Sequence, residues 1–178
     1  SSYVYNTMYA GAGASWNFSS AGFSGGSLYK TTDGGINWNN VSLKDSLGNV
    51  DPRFRSISRI DIDKDNDSII NVATWPGSRY FGDGSRGSIY RTEDGGNTWR
   101  NVYTSNADER ITQLLSSPSD NKIKYASVSQ LGVLKSVDGG KTWFNPGNLG
   151  LVSGISYDNE GGLYEVSYET NFERLEIS

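Results

Sequence analysis

The sequence predicts an all-β chain built from about four copies of one four-stranded antiparallel unit, and three observations lead there. First, one segment recurs: Leu28-Tyr-Lys-Thr-Thr-Asp-Gly-Gly-Ile-Asn-Trp38, Ile89-Tyr-Arg-Thr-Glu-Asp-Gly-Gly-Asn-Thr-Trp99 and Val133-Leu-Lys-Ser-Val-Asp-Gly-Gly-Lys-Thr-Trp143. Second, its aspartates fall at 33, 94 and 138. Those intervals have room for four short strands each and are too long for a repeated hairpin. Third, short runs alternate between apolar and polar residues, and no window carries the period of an amphipathic helix.

Taken along the chain, each unit has the same grammar. A small-residue strand precedes each box: Met8 to Ala12, Ile70 to Thr74 and Lys124 to Val128. A loop follows it, then the strand that leads into the box. Before the second and third copies lies one more strand, Ile57 to Ile62 and Ile111 to Leu115. We label the four strands of a unit A to D, with A-B turns at Asp63 to Asp67 and Ser117 to Asn121, where Asp, Asn, Ser and Pro supply the turn chemistry. The box sits at the C-D hairpin. Two insertions lengthen the second unit, Lys44 to Arg55 and Pro76 to Gly87, and loops of that length in a compact repeat are often functional.

The fourth unit is degenerate. Val152 to Tyr157 is its expected strand A, Leu163 to Tyr168 alternates cleanly, and Phe172 to Ser178 is its expected strand C, with Ile177 where the box aspartate belongs. The organisation expected is therefore a partial unit over 1–43, full units over 44–104 and 105–147, and a degenerate partial unit over 148–178.

Composition bounds the chemistry. The 178 residues include no cysteine and no histidine, which removes thiol catalysis, disulfides, the usual zinc sites and a Ser-His-Asp triad. Any catalysis would rest on carboxylates, hydroxyls, Arg or Lys. A net charge of -4 and an acidic C-terminal stretch disfavour nucleic acid and anionic membranes as partners. No apolar run approaches the roughly 20 residues needed to span a bilayer. The start, Ser1-Ser2-Tyr3-Val4, is neither a Met start nor a signal peptide and reads as a piece of a longer polypeptide.

Within each box the aspartate is placed to accept hydrogen bonds from the turn, the glycines to take positive φ, and the tryptophan to fill the gap beside the next sheet. A carboxylate saturated by donors is held ionised and cannot act as an acid. Asp33, Gly35 and Trp38, then Asp94, Gly96, Thr98 and Trp99, then Ser136, Asp138, Gly140, Thr142 and Trp143 are expected to be structural.

This pattern resembles the Asp-box, or bacterial neuraminidase repeat, over about residues 5 to 147. The third copy matches fully, the second has Thr92 for Ser, and the first has Thr31 for Ser and Asn37 for Thr. The resemblance implies β-propeller blades, part of a larger propeller, with further blades supplied by the same or another chain. Families that carry the box include sialidases, xyloglucanase-type glycoside hydrolases, sortilin-like receptors, a photosystem assembly factor and large secreted bacterial surface proteins. It does not fix the activity.

A sialidase is expected to show Arg-Ile-Pro before the first box, an arginine triad and a Tyr-Glu pair. Here the nearest string is Pro52-Arg-Phe-Arg-Ser-Ile57, which follows the first box. A xyloglucanase-like enzyme needs two carboxylates across a cleft. Asp51 and Asp83 lie in the insertions, but solvated loop positions are the plainer account of both. Asp63, Asp65 and Asp67 have the spacing of the first ligands of a calcium loop but lack its later glutamate, and an Asp-rich turn is the plainer reading. Asp45-Ser46-Leu47 and Asp67-Ser68-Ile69 resemble the O-glycosylation motif of exported Bacteroidota proteins, which points to a bacterial cell surface.

The aromatics divide. Box and strand aromatics are expected in the core. Trp16, Phe18, Phe23, Trp75, Tyr80 and Phe81 instead lie amid glycine and serine in two B-C loops. With strands running up and down in order, B-C and D-A connections share one end and the boxes hold the other. The ligand-binding candidates are Trp16, Phe54, Trp75, Arg79, Tyr80, Phe81 and Asp83, with Arg53 and Arg55 nearby, a set suited to sugar rings or an extended peptide. The expected protein is a secreted or cell-surface β-propeller module that binds a glycan, peptide or protein, without catalysis and without a cofactor. The alternatives are part of a glycoside hydrolase and a sortilin-like peptide receptor, and the lack of cysteine counts against the latter.

Overall fold

Apolar residues on both faces of the same strands dictate how the sheets stack. In a strand successive side chains point to opposite faces, so a strand buried on both must have a sheet on either side. The computed structural model describes residues 6–12, 26–54, 56–74, 86–106, 109–129, 131–147, 152–158, 161–167 and 172–174. They form four antiparallel sheets in chain order: β1 (Met8–Gly11), β2 (Leu28–Thr31) and β3 (Asn39–Asn40); β4 (Ile57–Ile62), β5 (Ile70–Thr74), β6 (Ser88–Thr92) and β7 (Arg100–Thr104); β8 (Ile111–Ser116), β9 (Lys124–Val128) and β10 (Gly132–Ser136); β11 (Val152–Tyr157), β12 (Leu163–Ser167) and β13 (Phe172–Arg174). Every strand pairs with its neighbour in sequence, an up-and-down meander. Lys135 also bridges Phe144, which stands where the third sheet's fourth strand belongs. Among the described residues there is one 3-10 turn, Pro52–Phe54, and no helix long and apolar enough to cross a membrane.

The core lies between the sheets. Leu28 from the first sheet meets Ile57, Ile70, Val72 and Tyr90 of the second. Ala73 and Ile89 point the other way, onto Ile111, Leu114, Ala126 and Leu134 of the third. Tyr125 and Val133 then face Ile155 and Leu163 of the fourth. Val72 beside Ala73, Ile89 beside Tyr90 and Val133 beside Leu134 serve opposite interfaces, as period-two alternation requires.

The two insertions fare differently. Of the first, residues 44 to 54 form a small hairpin, bridged between Lys44 and Val50, followed by the 3-10 turn, and Arg55 lies outside the described residues. Of the second insertion, residues 76 to 85 lie outside the described residues, as do Trp75 and residues 13 to 25.

At the boxes, consecutive glycines take positive φ: 74° and 96° at Gly34 and Gly35, 71° and 97° at Gly95 and Gly96, 77° and 90° at Gly139 and Gly140. At Gly96 a Cβ would sit 2.8 Å from the Cβ of Val41 on the preceding sheet, whereas Gly139 has nothing within 4 Å. Conformation and sheet contact can therefore be separated. Gly139→Ala is expected to cost about 1–2 kcal/mol, the strain of a left-handed alanine. Gly96→Ala adds a clash with the Val41 side chain at its branched Cβ and should cost roughly 1–3 kcal/mol more. Urea unfolding of the two variants measures the difference.

Candidate functional site

The three boxes share one geometry. The hydroxyls of Thr31, Thr92 and Ser136 donate to the carboxylates of Asp33, Asp94 and Asp138 at 2.7, 2.7 and 2.8 Å. The same oxygens accept the N–H of Gly35, Gly96 and Gly140. Each carboxylate then accepts the N–H of the residue four ahead, Asn37, Thr98 or Thr142, at 2.9 Å. Its second oxygen takes that residue's side chain: the Asn37 amide at 2.7 Å, the Thr98 and Thr142 hydroxyls at 2.6 Å. Asn37 thus does the work of threonine in the first box. The first glycine N–H of each box donates to the start of strand B, at Asn6, Ser68 and Lys122, so the turn is tied to its own sheet.

These bonds set the acidity. Asp33 is held down to about 2 by the Asn37 N–H, then the Thr31 hydroxyl and the Asn37 amide. Asp94 is lowered to about 2 by the Thr98 hydroxyl and N–H, with the Thr92 hydroxyl behind them. Burial pushes Asp138 up, but bonds from Thr142 and Ser136 outweigh it and leave it at about 2. Carboxylates so held are ionised at neutral pH and have no proton to give a leaving group. The boxes are fasteners.

Trp99 carries the fastening across sheets: its indole N–H donates to the Val41 carbonyl at 2.8 Å. Trp143 packs on the core between the second and third sheets. Trp38 is 41% exposed and donates only to Gly35 of its own turn.

At the opposite end lie the bases of the two aromatic loops. Strand β1 ends beside the loop of 13–25, and the Ala12 carbonyl accepts the Ile57 N–H at 3.5 Å. Ile57 pairs with Thr74, from which the loop of 75–85 departs. The two loops therefore spring from adjacent points on neighbouring sheets. Hydroxyls fix the second base, with Thr74 Oγ1 accepting the Ser88 N–H at 3.2 Å and Ser88 Oγ 3.3 Å from Thr104 Oγ1. The D-A connection arrives at the same end, where the Ser105 N–H donates to the Gly87 carbonyl.

Of the ligand-binding candidates, Trp16, Trp75, Arg79, Tyr80, Phe81 and Asp83 lie outside the described residues. Phe54 is corrected. It is fully buried, wedged edge-on against Tyr90 at 5.0 Å and Trp99 at 5.1 Å, because the 3-10 turn folds it into the first inter-sheet core. Arg53 remains half-exposed but is claimed by Asp51, to which it is bonded at 2.7 and 2.5 Å. That pairing raises the Arg53 pKa and makes Asp51 an anchor for the turn, which is poor chemistry for a catalytic acid. Asp63 accepts the N–H groups of Asp65 and Asn66, and the Asp67 carbonyl accepts the Tyr9 hydroxyl. The acidic string is a turn in hydrogen-bond register with its own backbone, and among the described residues no cluster of three metal-ligating side chains forms.

Sequence reasoning missed one constellation. Lys124, fully buried, donates to Asp61 at 2.7 Å and to Ser116 at 2.5 Å, and the Ser116 hydroxyl donates to Asp61 at 2.6 Å. It crosses the interface between the second and third sheets. The one trace in the sequence is a charge at an inward position of two apolar strands.

No protein-family model matches the chain, and no curated protein matches it. Solved structures do. A GH74 enzyme from Niastella koreensis aligns over 95% of this chain and 28% of its own, at 18% identity and a TM-score of 0.58. The GH74 xyloglucanase from Xanthomonas campestris aligns over 96% and 29%, at 13% identity and a TM-score of 0.59. These sheets are β-propeller blades. YCF48 bound to D1 peptide also aligns, over 84% of this chain and 45% of that one, with 16% identity and a TM-score of 0.53. The chain spans less than half the length of each of these structures.

Two outcomes follow. Lys124→Met leaves the Asp61 charge buried without its counter-ion and should cost about 3–5 kcal/mol, while Lys124→Met with Asp61→Leu should recover most of that. Denaturant unfolding of single and double variants measures it. The three box aspartates have folded pKa values of about 2 against an ordinary 3.8. Their contribution is full above about pH 4 and lost as pH falls toward 2. Urea midpoints should fall across that window, and less steeply in a chain carrying Asp94→Asn and Asp138→Asn.

Proposed function

We propose that this chain is a set of Asp-box blades from a secreted or cell-surface bacterial β-propeller, acting as a non-catalytic binding or scaffold module for a glycan or an extended peptide. The observation that carries the reading is the shared origin of the two aromatic loops, joined through Ala12, Ile57 and Thr74 at the end away from the boxes. In this reading Trp16, Trp75, Tyr80 and Phe81 sit in neighbouring B-C loops, where stacking aromatics would suit sugar rings or peptide side chains. Arg79 and Asp83 supply polar contacts in this reading.

The state of the carboxylates at the boxes and beside the 3-10 turn favours binding over catalysis in this reading. The box carboxylates are ionised and saturated, and Asp51 is clamped by Arg53. A hydrolase needs a carboxylic acid that keeps its proton near neutrality. The alternative, a fragment of a glycoside hydrolase, draws on the GH74 likeness, and of the two insertion carboxylates, Asp51 and Asp83, it would use Asp83. A sortilin-like receptor is the third reading, and peptide binding is the property it shares with the preferred one.

A glycan array and a peptide library screened against the intact chain should return a ligand. Trp16→Ala or Trp75→Ala should then weaken it at least tenfold, while Asp94→Ala lowers stability by about 1–2 kcal/mol and leaves affinity unchanged. Binding that survives both tryptophan changes, or hydrolysis of a xyloglucan oligosaccharide, defeats the proposal.

A further inference from the structure

The two strings that resemble an O-glycosylation motif, Asp45-Ser46-Leu47 and Asp67-Ser68-Ile69, are treated in opposite ways by the fold. The first crowns the hairpin of the first insertion. That hairpin leaves the first sheet after Ser42, whose hydroxyl accepts the Leu28 N–H at 2.8 Å. Its stem closes where the Asp51 N–H donates to the Leu43 carbonyl at 2.8 Å, and Phe54, buried just beyond, anchors it.

One carboxylate shapes the tip. Asp45 Oδ1 accepts the N–H groups of Leu47 and Asn49, each at 2.9 Å, while the Asp45 main chain accepts the Gly48 N–H and donates to the Asn49 carbonyl. Gly48 takes a φ of 82° to complete the turn. These bonds, the Asn49 N–H foremost, hold the Asp45 carboxyl below the usual carboxylate range. Ser46 stands among these bonded positions and is itself exposed, beside a Leu47 that is 84% exposed and a Gly48 whose Cβ would meet nothing within 4 Å. Among the described residues nothing bonds the Ser46 hydroxyl.

Ser68 has similar neighbours in sequence and none of that freedom. It is half-buried, its N–H donates to Asn66 Oδ1 at 3.0 Å, and its carbonyl accepts the Gly95 N–H at 2.9 Å, which ties it to the second box. On either side of it, the Asp67 carbonyl accepts the Tyr9 hydroxyl from the first sheet and the Ile69 N–H donates to the Asn66 carbonyl. Drawing Ser68 into an enzyme's active site would break the box tie and an inter-sheet bond together. Ser46 can enter one with its hairpin intact, and exposed tips of small and polar residues are where enzymes reach a folded chain.

The geometry points to Ser46 as the acceptor of a covalently attached sugar, with Ser68 left bare. The donor class is a glycosyl diphosphate. Ser46 Oγ attacks the anomeric carbon and forms the new C1–Oγ bond, the bond from C1 to the diphosphate oxygen breaks with its electron pair leaving on the diphosphate, and the hydroxyl proton passes to a base of the transferase. Asp45 is not that base, because Leu47 and Asn49 hold its carboxylate; its part is to present the serine. The inference goes beyond the binding reading and shares with it only the exported location.

The test adds a signal peptide to the 178-residue chain and recovers the protein from the periplasm of a Bacteroidota host. Trypsin releases Ser46 in residues 45–53, where it is the one hydroxyl side chain, and Ser68 in residues 65–79. Mass spectrometry should find a sugar adduct on residues 45–53 at roughly tenfold or more the occupancy of residues 65–79. Ser46→Ala should remove it without moving the melting temperature, Ser46→Thr should keep it, and the chain expressed without the signal peptide should stay bare. A bare 45–53 peptide from the exported chain overturns the inference, as do equal occupancy of the two peptides and an adduct on the cytoplasmic chain. An adduct on a chain for which the glycan array and peptide library return no ligand defeats the binding reading and leaves this one standing.

Discussion

The structure depends on a bare stretch of backbone held in a left-handed conformation by one carboxylate. Two successive glycines at positive φ cost more chain entropy than any other pair, and no sheet ladder holds them. The aspartate two residues after the Ser or Thr collects their turn through its own N–H donors and hydroxyl partners, and the Ser or Thr oxygen closes the loop from the other side. The return is geometric. With no Cβ at Gly96 or Gly140, the neighbouring sheet comes to van der Waals distance of main chain, and the apolar layers on either side can close.

Apolar layers alone would let sheets slide or exchange, since Val, Ile and Leu accept many partners. Polar ties fix the order. The Trp99 indole reaches one carbonyl on the first sheet, and the Lys124 ammonium reaches one carboxylate on the second. Ser58 bridges the carbonyls of Ala73 and Ile111, and Arg59 bonds Gln113 at 2.6 Å. Each lies at a different height along the strands, so a one-residue slip would break several together and leave buried donors unpaired. Sheet order is thus encoded by a few directional bonds set into a non-directional core.

The repeat was legible because it is local. Box, flanking strands and A-B turns all lie within a few dozen residues, and the alternation of Val72 with Ala73 or Val133 with Leu134 shows that both faces are buried. What the sequence concealed is non-local. Asp61 and Lys124 stand far apart in the chain, and nothing near either marks the other as its partner. Phe54 reads as a loop aromatic by its Pro-Arg-Phe-Arg surroundings, yet Asp51 caps the turn and tips the ring inward against Tyr90. Lys30 and Arg91, three residues before the first two box aspartates, meet the first glycine of the following box, a contact visible only with two sheets side by side.

Division of labour between the two ends follows from these constraints. At the box end the turn aspartates, their hydroxyl partners and the Trp99 indole are all committed to a turn or a neighbour, so a substitution there is felt in stability first. At the other end the strands finish in small hydroxyl residues, Ser27, Thr74 and Ser88, whose side chains or main chains satisfy the strand ends locally. The two ends therefore divide the bonding: carboxylates and Trp99 tie turn and sheet at the boxes, while hydroxyls close each sheet's own strand ends at the other.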